Sequence, residues 1–142
     1  MGSEPGYLLD TDVISETAKR LPAESVLAFL RWVPGEQIFL SALTLGELRL
    51  GARRLGARNA LTAAALGGWV DAMKQQYAEQ ILSLDAAVCE QWAAWSAVGR
   101  SRPVVDTLIA ATAAVHGLTL VTRNVRDVGD LPVRVVNPWG IG

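Results

Sequence analysis

Four acidic residues stand where apolar runs begin or end. Asp10 closes Tyr7-Leu8-Leu9, Glu47 follows Thr44-Leu45-Gly46, Asp106 precedes Leu108 to Val115, and Asp127 lies just after Thr119 to Asn124. A local reading exists for each. Asp12 suits the N-cap of a helix starting at Val13, Thr44 to Glu47 has the form of a capping box, Asp106 suits another N-cap, and Val125 to Asp130 reads as a turn. Together the acids say more. If the apolar runs are strands of one parallel sheet, their carboxyl ends and the helix starts that follow meet on a single rim. Each pair of like charges at about 4 Å then costs roughly 1 to 4 kcal/mol, depending on screening. A divalent cation relieves that repulsion. Ligation by oxygen alone points to Mg²⁺ or Mn²⁺, which keep several waters and take one or two carboxylates plus a substrate phosphate.

Other chemistries are poorly supplied. With one cysteine, Cys89, and one histidine, His116, neither a thiolate zinc site nor a Ser-His-Asp triad is at hand. His116 stands in Val115-His116-Gly117, which reads as a helix end followed by a glycine cap. Asp10-Thr11-Asp12 after a strand, with Ser41 after the next, also looks like the nucleophile loop of a haloacid-dehalogenase-type phosphatase. That reading needs a lysine, and Lys19 and Lys74, the two available, both lack the acidic strand-end motif behind them. A non-catalytic module binding nucleic acid or a partner through the same rim is a third reading. Clustered negative charge argues against it.

Thirteen Lys and Arg balance fourteen Asp and Glu, for a net charge of -1, so bulk charge does not announce a nucleic-acid binder. The cations are nevertheless mostly arginine and grouped, at Arg49, Arg53, Arg54 and Arg58, at Arg100 and Arg102, and at Arg123 and Arg126. Arginine suits bidentate phosphate contact. Arg49, Arg53, Arg123 and Arg126 are therefore candidates for salt-sensitive contacts to a phosphate backbone, and the hydroxyls of Thr11 and Thr122 for auxiliary positioning of ligands beside Asp12.

The elements that must place these residues follow from periodicity. Short apolar runs at Tyr7 to Leu9, Gln37 to Leu40, Gln80 to Leu84, Thr119 to Val121 and Val133 to Val136 predict buried strands. Helical patterns fall between them: Val13 to Val33 with a break at Leu21-Pro22, Thr44 to Leu55, Ala57 to Tyr77, Ala86 to Gly99, and Val105 to Val115. Leu66, Trp69, Val70, Met73 and Tyr77, and then Val88, Trp92 and Trp95, form core-facing stripes. Alternation of this kind predicts a mostly parallel central sheet of about five strands in a single three-layer α/β/α domain. No apolar run approaches the roughly 20 residues of a membrane span, and residues 1–6 carry no signal-peptide pattern, so the expected compartment is the cytoplasm. Residues 1–6 read as a leader, 7–139 as the domain and 140–142 as a tail.

The motifs Tyr7-Leu8-Leu9-Asp10-Thr11-Asp12-Val13-Ile14-Ser15-Glu16, Leu45-Gly46-Glu47-Leu48-Arg49-Leu50-Gly51, Val105 to Ala113, Leu120 to Asp127 and Asn137-Pro138-Trp139 occur in this order along the chain. In order and spacing the sequence resembles a PIN-domain protein of the VapC/FitB toxin type over nearly its whole length. The resemblance implies a Mg²⁺- or Mn²⁺-dependent endoribonuclease and the toxin half of a type II toxin-antitoxin pair. It carries the acidic positions onto Asp10, Glu47 and Asp106, with Asn124 and Asp127 sharing the fourth; Asp12 stands where the family commonly has Asn, and Val128 where it has Phe. Asp10 and Asp106 are expected to hold the metal most directly. The implied partners are RNA, a VapB/FitA-like antitoxin whose Arg or Lys reaches the acids, a second copy of the chain packed through helices, and operator DNA bound through the antitoxin.

Overall fold

The computed structural model describes residues 6–56 and 58–140. Most of the expected leader and the end of the expected tail, like Ala57, lie outside them. Gly6, also assigned to the leader, is packed into the domain: its carbonyl accepts from the Thr119 amide at 3.0 Å. A Cβ there would stand 2.8 Å from both the Leu118 and the Phe39 side chain, so any larger residue would have to push one of them aside.

Five strands form one parallel sheet: β1 (Tyr7–Leu9), β2 (Ile38–Ser41), β3 (Ile81–Leu82), β4 (Thr119–Val121) and β5 (Val135–Val136), in the order β3-β2-β1-β4-β5. Among the described residues seven α-helices accompany them: α1 (Thr11–Thr17), α2 (Glu24–Trp32), α3 (Ala42–Gly56), α4 (Ala60–Gln76), α5 (Ala86–Ser96), α6 (Val104–Val115) and the single turn α7 (Val125–Val128). Side chains alternate across the sheet as the pleat requires. Leu9, Leu40 and Val121 point to a core built with Val13 and Ile14 of α1, Val26 of α2, Leu48 of α3 and Val70 of α4. Leu8 and Leu120 point the other way, to Ile109, Ala110 and Ala113 of α6 and Val128 of α7, with Trp95 of α5 against them. Each core lies between the sheet and one helical layer, which gives the expected three-layer α/β/α arrangement.

Several boundaries differ from the sequence reading. The break expected at Leu21-Pro22 falls between α1 and α2, whose junction is held by a buried acid: Glu16 accepts the Ala23 amide at 2.8 Å and pairs with Lys19 at 2.9 Å. The first helix starts on Asp10 rather than Asp12, because the Asp10 carboxylate caps the Thr11 amide at 2.7 Å. Thr44 and Glu47 are not a capping box; α3 starts two residues earlier, where Ser41 Oγ accepts from the Leu43 amide at 3.0 Å. Asp106 is not an N-cap either, since Pro103 occupies that place and Asp106 falls in the first turn. The stretch Val125 to Val128 is a helical turn. Finally, the edge strands β3 and β5 are two residues long and only half buried, unlike β1, β2 and β4. Short edges leave few backbone groups open to another sheet.

Candidate metal centre

In the order β3-β2-β1-β4-β5 the chain winds one way from β1 and the other way from β4, so the sheet's switch point lies between these two strands. Crevices at such points, outside the carboxyl ends, are where parallel sheets bind ligands. Register then decides what meets there. Leu9 pairs with Val121, which places the next residues, Asp10 and Thr122, side by side. The Asp10 amide continues the ladder to Val121 O at 2.9 Å, and Thr122 donates its hydroxyl to Asp10 Oδ2 at 2.7 Å. With Oδ1 taken by the Thr11 amide, the carboxylate is held from both sides at 6% exposure.

Glu47 arrives from the other flank. Because β2 ends at Ser41 and α3 starts at once, Glu47 comes down in the second turn against the start of α1, where the Thr11 hydroxyl donates to its carboxylate. Thr11 Oγ1 also lies 3.1 Å from the fully buried Thr44 hydroxyl. Asp12 accepts the Arg123 amide through Oδ2 at 3.3 Å, and its Oδ1 is buried with no partner among the described residues. Asp106 reaches the rim from α6. Asn124 Nδ2 stands 3.5 Å from Asp106 Oδ2, and the Asn124 amide donates to Thr122 Oγ1 at 3.0 Å, tying the fourth position to the strand end.

Electrostatics tell which acids face one another. Asp10 is raised above the usual carboxylate range, chiefly by burial, against hydrogen bonds from Thr122 and Thr11 that favour its ionised form. Asp12 is pushed up to about 6, first by burial and then by the charge of Asp10. Asp106 is also pushed up to about 6, by burial and then by the charges of Asp10, Asp127 and Glu47, with the Asn124 contact opposing. Asn124 thus acts on Asp106 by contact and Asp127 by charge. The fourth position is divided between two residues one helical turn apart.

This donor set fits a hard divalent cation. Three carboxyls driven toward protonation by burial, two of them also by the charge of Asp10, and one with an oxygen left without a partner among the described residues, are the groups such an ion would satisfy. Among the described residues no three acidic, histidine or cysteine side chains converge tightly enough to hold an ion alone.

The remaining candidates are distributed unevenly. Arg123 stacks on Trp139 at 4.3 Å while its amide serves Asp12, and Arg126 is exposed on α7. Arg53 lines a groove between α3 and α4. Arg49 pairs with Asp71 and donates to Gly67 O at 3.2 Å, so its guanidinium clasps α3 to α4. His116 caps α6 at the end opposite Asp106, with Gly117 following at φ +66°, and takes no part in the rim. Lys19 is occupied by Glu16, which leaves the phosphatase reading without support. Sequence reasoning missed Thr44 and undervalued Asp12; a threonine and a glutamate at helical spacing do not reveal that one hydroxyl from α1 lies between them.

A parallel three-layer α/β domain with carboxylates gathered at its switch point is the class that fold and site define. More specifically, the chain belongs to the PIN-domain family, whose pattern matches residues 7–127. It is similar to Toxin FitB of Neisseria gonorrhoeae, 36% identical over 137 residues that span 93% of this chain and 97% of the relative. It is 33% identical over 138 residues to the VapC ribonuclease Y4jK of Sinorhizobium fredii, with 93% and 96% covered. Among solved structures, FitAcB from Neisseria gonorrhoeae superposes with a TM-score of 0.88 at 35% identity, covering 95% of this chain and 99% of that one. FitAB bound to an IR36 DNA fragment gives 0.87 at 33%, covering 96% and 97%.

Proposed function

We propose that this chain is the toxin of a type II toxin-antitoxin pair and acts as a Mg²⁺- or Mn²⁺-dependent endoribonuclease. The observation that carries the reading is the acidic rim at the β1–β4 switch point. Its support from relatives is that FitB is named a toxin and Y4jK a VapC ribonuclease, and that both align over more than nine-tenths of this chain. A divalent ion held there supplies an activated water near neutral pH and offsets charge gathering on the scissile phosphate.

The chain's own residues have distinct tasks. Asp10 and Asp106 are the direct ligands. Thr122 and the Thr11 amide fix the Asp10 carboxylate in one rotamer, so ligand geometry is set before substrate arrives. Glu47, held by Thr11, and Asp127 orient waters from farther out, while Asn124 steadies Asp106. Asp12 adds a charge beside Asp10 that strengthens cation binding and is itself relieved by it. Arg53, Arg123 and Arg126 contact the RNA backbone.

The proposed partners follow the same line: RNA as substrate, a VapB/FitA-like antitoxin, and operator DNA reached through that antitoxin, supported by the DNA in the FitAB structure. Exposed Leu21, Trp32 and Leu61 favour a homodimer or partner contact through helices. No helix among the described residues is long and apolar enough to cross a membrane. The test is direct: purified protein cuts a structured RNA with Mg²⁺ or Mn²⁺, stops on addition of EDTA, and resumes when metal is restored in excess. Undiminished cutting in chelator, once contaminating nucleases are excluded, removes the metal mechanism.

A further inference from the structure

We propose that the cavity between α5 and the start of α6 is a phosphodiester subsite for the RNA strand, in which Arg100 and Arg102 hold a backbone phosphate and Trp92 packs against the adjoining base. It rests on the ribonuclease reading above and names how that site grips its substrate.

The cavity has a volume of about 210 Å³ and is walled by Trp92 and Ser96 of α5, the loop arginines Arg100 and Arg102, and Thr107 of α6. It is smaller than the roughly 300 Å³ at which pockets for whole small molecules begin, a size for one group of a polymer. Its basic wall is built into the protein. The Arg102 side chain is only 9% exposed, and its Nε is buried with no hydrogen-bond partner among the described residues. Arg102 donates to Asp130 at 2.8 Å, and Arg100 reaches the same carboxylate at 3.3 Å. Two guanidiniums thus share one acid, leaving a positive charge uncompensated at the wall of a recess. A planar cation of this kind favours phosphate oxygens, and an aromatic face beside it favours an unpaired base.

Position connects the recess to the acids. Asp106 lies in the same opening turn of α6 as Val104 and Thr107, both of which line the cavity. Arg100 also donates to the Arg126 carbonyl at 2.6 Å, on the helical turn that carries Asp127. The recess and the acids therefore share the opening turn of α6, so one strand with its scissile phosphate at the rim runs beside the recess. The bland alternative is a clasp, with both arginines and Asp130 only pinning the α5–α6 loop to the segment after α7.

Asp130→Asn separates the two. Full-length protein carrying Asp10→Asn, so that RNA stays uncut, is titrated with a single-stranded RNA oligonucleotide containing 4-thiouridine. Added to that background, Asp130→Asn frees both guanidiniums and is expected to tighten RNA binding, whereas a mere clasp would lose thermal stability without gaining affinity. Trp92→Leu and Arg100→Ala are each expected to weaken binding roughly fivefold or more, and Arg100→Ala to lower the salt dependence by about one charge. Irradiation should attach the oligonucleotide to the peptide containing Trp92. In the otherwise wild-type enzyme, Trp92→Leu and Arg100→Ala should raise KM and leave kcat in place. Unchanged affinity in all three variants, with only the melting temperature shifted, overturns the subsite. If the wild-type protein cuts RNA yet those affinities are flat, the subsite alone falls; RNA bound through Arg100 and Trp92 but never cut keeps the subsite and removes the nuclease.

Discussion

Asp10 occupies a position where backbone and side chain are doubly committed, since one carboxylate oxygen caps α1 and the other takes the Thr122 hydroxyl. Replacing it with Asn keeps the shape and removes the charge. Asp10→Asn and Asp106→Asn should each lower the RNA-cleavage rate by about three orders of magnitude, because charge stabilisation at the scissile phosphate is worth several kcal/mol. The same substitutions should stabilise the metal-free protein at neutral pH. The sign follows from linkage: the folded-state values of Asp12 and Asp106, about 6, lie above the ordinary carboxylate value of 3.8, and Asp10 is raised in the same direction. The folded protein therefore holds more protons between these limits, and its stability falls as pH rises from about 4 to 6. Allowing for the solvent screening of half-buried groups, Asp106→Asn gains about 1 kcal/mol at pH 7, roughly 4 °C in melting temperature. Mg²⁺ should raise the melting temperature of the wild-type protein more at pH 7.5 than at pH 5, where protons compete for the same carboxylates. Calorimetry across that pH range, with and without metal, checks both signs.

At the scale of elements, much was legible because parallel strands bounded by polar residues leave a plain mark: Tyr7-Leu8-Leu9 then Asp10, and Thr119-Leu120-Val121 then Thr122. What the sequence could not display was which neighbouring groups claim a side chain. Arg49 looks like a phosphate contact by type and cluster, yet Asp71, twenty-two positions on, claims it. Asp12 looks like a helix cap until Asp10 takes that role, which leaves Asp12 facing the rim. The clasp gives an independent check. Arg49→Ala should cost about 0.5 to 1 kcal/mol of stability, as expected for a partly exposed ion pair, and leave RNA affinity unchanged. Arg126→Ala should do the reverse, weakening RNA binding in a salt-sensitive way with the melting temperature held. A loss of RNA affinity in Arg49→Ala equal to that in Arg126→Ala would return Arg49 to the substrate side. For the divided fourth position, Asn124→Ala should disturb Asp106 by removing its hydrogen-bond partner, and Asp127→Ala by removing a neighbouring charge. The first raises the Asp106 pKa and the second lowers it, so their pH–rate profiles should shift in opposite directions.

On the scale of the whole molecule, a net charge of -1 conceals a division of labour. The acids gather at one switch point, and arginines from the α5–α6 loop, the β4 exit and α7 surround it. Such a rim attracts cations when substrate is absent, which suits control by a partner's Arg or Lys: a charge-assisted contact there occupies the carboxylates a metal would use. A peptide from the cognate antitoxin's C-terminal region should inhibit cleavage, and its affinity should fall when Asp10 and Asp106 are both replaced with Asn. Binding without inhibition would move control away from the acids.

The central claim is that Asp10 and Asp106 hold a divalent ion with which the protein cuts RNA. Its most direct measurement is the cleavage rate of one defined RNA against free Mg²⁺, begun from EDTA-stripped protein, for the wild-type chain and for Asp10→Asn and Asp106→Asn. The expected result is a saturable rise from no activity in the wild type, with both variants flat or displaced to far higher metal concentrations. Variants that cut with the wild-type Mg²⁺ dependence would contradict the claim.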